Sequence, residues 1–144
     1  MRKKLFLFFA LVLLAACSKE VNTYDYRFAG ESEHWEAEYV FKGTEEWAEK
    51  DGRRTYSNEN NDEFFLEYKG PLEELSSMKK IEYSYETSAG SGSGATKFDA
   101  PPTEKVFKSG GSSENTGTVN EDDIIKVYVK WDDAEETFEL HREK

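Results

Sequence analysis

The chain has 144 residues, with 30 Asp and Glu against 19 Lys and Arg, a formal net charge of −11, and one cysteine. That balance repels the phosphates of nucleic acid, and a single thiol excludes an internal disulfide, so the fold must rest on a core. With 15 % aromatic residues the chain has the rings to build one, which an intrinsically disordered acidic tail would lack.

The N-terminus reads first. Arg2-Lys3-Lys4 precedes an uncharged, mostly apolar run, Leu5 to Ala16, of 12 residues. At ~1.5 Å per residue this run reaches roughly 18 Å, short of a hydrocarbon core of about 30 Å. Its layout is that of a signal peptide over residues 1–16. The run ends in Leu14-Ala15-Ala16-Cys17, which resembles the lipobox of bacterial lipoproteins. That resemblance implies cleavage between Ala16 and Cys17 and a diacylglycerol thioether on the Cys17 sulfur. Two acyl chains on one residue meet the requirement for stable membrane anchoring. Residues 17–22 then form the lipidated cysteine and a short polar tether, Ser18 to Asn22, ahead of a domain over residues 23–144.

Beyond residue 16, 128 residues carry 16 Lys and Arg against 30 Asp and Glu, a formal charge of −14. Charge therefore opposes membrane contact, and attachment falls to the lipid. The length suits one ordinary domain.

Along this domain the dominant period is two. Trp35, Ala37, Tyr39 and Phe41 alternate with His34, Glu36, Glu38 and Val40. Phe64, Leu66 and Tyr68 alternate with Phe65 and Glu67, and Ile81, Tyr83 and Tyr85 with Glu82 and Ser84. Ile125, Val127, Val129 and Trp131 alternate with Lys126, Tyr128 and Lys130. This is the pattern of strands with one face in a core. Shorter candidates are Tyr24–Ala29, Glu45–Lys50, Arg53–Ser57, Lys105–Ser109 and Glu136–Leu140. Asp51-Gly52 reads as a type I′ hairpin turn, and Asn58–Asp62 and Asp132–Ala134 as polar connections of hairpin length. Pro71–Met78 is the one helical candidate, about two turns long. Ser88–Ala95 is low-complexity and reads as a long flexible loop, with Gly110-Gly111 and Asn115–Gly117 marking a second mobile connection. Many short strands with almost no helix predict an all-β fold, an immunoglobulin-like antiparallel β-sandwich of seven to nine strands.

The stretch Gly30-Glu31-Ser32-Glu33-His34-Trp35, then Tyr68-Lys69-Gly70-Pro71-Leu72 with Leu75, then Ile125-Lys126-Val127 with Trp131 and Thr137-Phe138, resembles a group of small lipoproteins of Gram-positive bacilli. The resemblance implies a cell-surface β-sandwich. It supplies no activity, and no functional residue except Cys17 carries over.

Chemical motifs are sparse. Gly90-Ser91-Gly92-Ser93-Gly94-Ala95 fits G-x-G-x-x-A, but no amphipathic helix follows to hold a pyrophosphate, so no cofactor is expected. His34 and His141 are the only imidazoles, too few for a zinc site of several His or Cys ligands, and no G-x-S-x-G elbow is present. The acidic runs Glu121-Asp122-Asp123 and Asp132-Asp133 lie at opposite ends of one strand, and none matches an EF-hand loop. No metal ligand set is assigned; calcium binding by acidic loops is the alternative, and a small envelope hydrolase a remoter one. Trp47, Phe65 and Tyr128 stand out as aromatics off the main alternation and form the candidate binding face, for an envelope protein or a wall polymer. The expectation is a non-enzymatic lipoprotein module on the outer face of the cell membrane, held there through Cys17.

Overall fold

The computed structural model describes residues 17–114 and 116–144, and of Cys17 the backbone alone. Signal cleavage at Ala16 and the lipobox positions before Cys17 lie outside the described residues. Eight strands account for most of the chain: β1 (Cys17–Glu31), β2 (Trp35–Lys50), β3 (Arg53–Tyr68), β4 (Lys80–Thr87), β5 (Gly90–Lys97), β6 (Val106–Glu114), β7 (Ile125–Trp131) and β8 (Ala134–Arg142). All pair antiparallel, in the order β5-β4-β7-β8-β1-β2-β3-β6.

The halves β5-β4-β7-β8 and β1-β2-β3-β6 pack face to face and are joined at β8 and β1 by two residue pairs, Phe28 with Arg142 and Ala29 with His141. The predicted all-β antiparallel class is what forms, with eight strands, and the two layers are continuous through that junction. Across the gap Phe64 of β3 stacks on Tyr85 of β4 at 4.5 Å, and Trp35 meets Trp131 edge-on at 5.5 Å. Along the opposite margin the Tyr83 hydroxyl donates to the Lys108 carbonyl of β6 at 3.1 Å, which draws the layers together there too.

The alternation sets which side chains enter this gap. Phe28, Trp35, Phe64, Leu66, Ile81, Ile125, Val127 and Leu140 are fully buried, and each stands on the inward register of its strand. Burying a side chain of this size contributes roughly 1.5–3 kcal/mol, so the period-two pattern dictates the layers.

Several local expectations are corrected. Glu45–Lys50 and Arg53–Ser57 are not separate short strands but the far ends of β2 and β3, and Asn58–Asp62 is not a connection but the middle of β3. Its polar side chains hide the strand signal, because Asn58 and Asn60 are buried by hydrogen bonding rather than by apolar packing. Ser18–Asn22 is paired strand rather than a free tether, each residue facing one of Glu49 to Glu45. Ser88–Ala95 is not a long loop: only Ser88 and Ala89 turn, and β5 starts at Gly90. Gly92 and Gly94 of β5 are required by close approach. A β-carbon on Gly92 would lie 2.3 Å from the Tyr85 ring, and one on Gly94 2.5 Å from the Tyr83 ring, so the rings lie flat over bare backbone. Gly110-Gly111 falls inside β6. The helical candidate at Pro71–Met78 contracts to a four-residue 3₁₀ turn, Leu72–Leu75, which tucks Leu75 and Met78 into the core.

The Asp51-Gly52 turn forms as predicted, with φ of 54° and 76°, the left-handed pair that a type I′ hairpin needs. Asp132 opens the β7–β8 turn at φ 48°, and its carboxylate accepts from the backbone N–H groups of Lys79 and Lys80.

Candidate functional site

Trp47, Phe65 and Tyr128 do not form one face. Tyr128 is on the outer register of β7 and Phe65 on the outer register of β3, so they look away from the core in opposite layers. The Lys108 ammonium lies over the Phe65 ring, 5.7 Å from its centroid. Phe65 pairs with Glu38, and Trp47 lies nine residues further along β2, roughly 30 Å away. Trp47 moreover shares the inward register of Tyr39 and Phe41. It is exposed because β2 runs on beyond the core.

That overrun is the most distinctive element of the molecule. β6 ends opposite Glu59, so beyond this rung β1, β2 and β3 continue as a bare three-stranded ribbon up to the Asp51-Gly52 turn. A carboxylate takes the place of a core. Glu45 accepts from Asn22 Nδ2 at 3.1 Å and from the Tyr56 hydroxyl at 3.2 Å, bridging all three strands. The Tyr24 hydroxyl is the main cause that lowers the Glu45 pKa, with Asn22 and Tyr56 adding to it against the opposing effect of desolvation. Nearer the core, Asn58 acts as a strand edge for the loop after β6, donating to the Thr116 carbonyl at 2.7 Å and accepting from the Thr116 N–H at 3.1 Å. At the ribbon's end Trp47 and Tyr56 pack at 4.5 Å, 37 % and 42 % exposed, with the Arg54 guanidinium 5.2 Å from the indole centroid.

A second cluster sits at the other end of the core. The carboxylate of Glu136, on the inward register of β8, accepts from the Ser32 hydroxyl, from the His34 backbone N–H at 2.9 Å and bonds His34 Nδ1 at 2.6 Å. Partial burial raises the Glu136 pKa, and the hydrogen bonds from Ser32 and His34 outweigh it, so the net shift is downward. The imidazole stacks on Tyr68 and meets Trp131 at 5.9 Å. The hydrogen bond to Glu74, followed by burial, pushes the Tyr68 hydroxyl up to about 12. Ser32 and His34 thus serve one carboxylate rather than each other. In a hydrolytic triad the imidazole must take the serine proton, so this arrangement braces the β1–β2 connection instead of activating a nucleophile. His141 lies on β8 beside Glu139, 3.5 Å away, and its side chain is mostly exposed.

A third polar group closes one end of the gap between the layers. Asp62 accepts from the Tyr39 hydroxyl at 3.2 Å, the Tyr85 hydroxyl at 3.4 Å and the Gly111 N–H at 3.0 Å. Burial first, then the Asp62 charge, drives the Tyr39 pKa upward. Among the described residues no group of three or more His, Cys, Asp and Glu is placed to hold a metal ion.

Sequence reasoning missed Glu45, Glu136 and Asp62 as hubs, since each is one carboxylate among 30. The available signal was parity: Glu136 precedes Phe138 and Leu140, and Asp62 precedes Phe64, on the same register. No family model matches the chain, and neither a curated protein nor a solved structure matches it.

Proposed function

We propose that the chain is a lipid-anchored extracytoplasmic module, held on the cell membrane by a diacylglycerol thioether on Cys17, that binds an envelope protein or wall polymer without catalysing a reaction. The observation that carries this reading is the Leu14-Ala15-Ala16-Cys17 run at the end of a short apolar stretch behind Arg2-Lys3-Lys4. No helix among the described residues is long and apolar enough to cross a membrane. A binding role fits a molecule whose clustered polar groups, Glu45, Asp62 and Glu136, are each engaged in bracing strands.

Intact mass of the protein extracted from membranes tests the anchor. The expected mass lacks residues 1–16 and carries a diacylglycerol on Cys17, and Cys17→Ala leaves the chain unprocessed. A native protein that keeps its first sixteen residues or a free thiol refutes the reading. Cross-linking in cells tests the partner: repeated recovery of one envelope component supports it, and recovery of abundant background alone removes it.

A further inference from the structure

Cys17 is not at the end of a slack tether but on the outermost rung of the ribbon, paired with Lys50, which in turn pairs with Arg53. Neighbouring strands lie about 4.8 Å apart, so the backbone of Arg53 is roughly 10 Å from that of Cys17. A lipid on Cys17 therefore fixes the whole ribbon end at the level of the phospholipid headgroups. From the anchoring reading, on which this rests, and from this register we infer that the ribbon end is a membrane-docking surface. Trp47 and Tyr56 would lie in the interfacial layer, with Lys50, Arg53 and Arg54 against anionic headgroups.

The composition of the end fits that occupant. Between Cys17 and Glu20 and between Glu46 and Tyr56 the chain places four cations, Lys19, Lys50, Arg53 and Arg54, and four carboxylates, Glu20, Glu46, Glu49 and Asp51, with Lys19 bridged to Glu46 at 3.3 Å. This neutral end departs from the balance of the whole chain, whose net charge is −11. Each Lys or Arg beside an anionic leaflet favours contact by about 1 kcal/mol, roughly a fivefold effect. Trp47 and Tyr56 lie side by side and part-exposed, three residues from the Lys50–Arg53 rung, or ~10 Å along the strand. Trp and Tyr favour this depth because one end of each ring system is apolar and the other takes a hydrogen bond. The Tyr56 hydroxyl bonds Glu45, on the side of the core, which leaves its ring and the indole to the interface. From Cys17 to Phe28, the first core residue of β1, is eleven residues, so the core begins roughly 35 Å along the ribbon from the anchor.

The test uses the full chain, processed in its own cell, extracted in detergent and reconstituted into vesicles of phosphatidylcholine with phosphatidylglycerol and bromine-labelled acyl chains. Flotation reports anchoring and quenching of tryptophan emission reports docking. The expected result is flotation with quenching that Trp47→Phe abolishes and that Lys50→Ala with Arg53→Ala weakens at least fivefold. Flotation with equal quenching in the parent and Trp47→Phe overturns docking and leaves anchoring standing. Flotation with Trp47 shielded from both bromolipid and aqueous iodide also overturns it, since a protein then covers the end. A parent that does not float overturns the anchoring reading, and docking with it. Circular dichroism identical to the parent confirms that each variant is folded.

Discussion

Glu136 holds His34 across 102 residues of sequence, carboxylate oxygen to Nδ1 at 2.6 Å, and so ties the last strand to the β1–β2 connection. The same carboxylate takes the Ser32 hydroxyl and the His34 N–H. Glu136→Ala strands these donors and should destabilise the domain by about 1–3 kcal/mol in urea unfolding at neutral pH. Because the folded-state pKa is lowered, the carboxylate's contribution is complete above its unfolded value near ~4.3 and is lost as pH falls through the folded one. Parent and variant stabilities should therefore converge below that window, and a gap that stays constant on acidification would contradict the assignment.

Gly94→Ala and Gly92→Ala force a methyl group into the rings of Tyr83 and Tyr85, whose hydroxyls are tied to Lys108 and Asp62. Each should cost about 1–3 kcal/mol of stability. Ser93→Ala, on the exposed register between them, should change little. Equal effects of all three on the melting temperature would count against rings lying over backbone.

Asn58→Ala removes both hydrogen bonds to the Thr116 backbone and leaves that N–H and carbonyl without their side-chain partner. A loss of about 2 kcal/mol is expected. Amide exchange at Thr116 should accelerate while that of Val127 in β7 does not, and unchanged protection at Thr116 would refute its role.

Burial raises the pKa of Tyr39, Tyr83 and Tyr85, and the bond to Glu74 with burial raises that of Tyr68 to about 12. A raised folded-state pKa contributes stability that is whole below the unfolded value near ~10 and lost as pH climbs through the folded one. Absorbance at the tyrosinate wavelength should show these four ionising together with base unfolding. Their titration ahead of loss of circular dichroism would show the layers to be open.

The strand registers through Trp35, Phe64, Ile81 and Ile125 were legible because apolar residues mark the inward side. The ribbon was not, since its inward register carries Asn22, Glu45 and Asn58, which are held by hydrogen bonds among themselves and with Tyr56 and Thr116 and give no hydrophobic alternation. For the same reason Trp47 read as an outward aromatic when it belongs to the inward register of a strand that outruns its core. Phe65 and Tyr128 lie on outer faces, yet pairing order, which sequence alone does not display, sets them in opposite layers. Glycine concealed β5, whose side of the contact is an absence of atoms.

That absence has an outcome for how the gene can change. The Gly90–Gly94 stretch repeats a Gly-Ser unit of two residues, the same length as the pleat. Gain of one unit keeps a glycine beneath each tyrosine, whereas a one-residue slip would drive serine or alanine into the rings. A segment that looks like filler is thus a reading frame for packing.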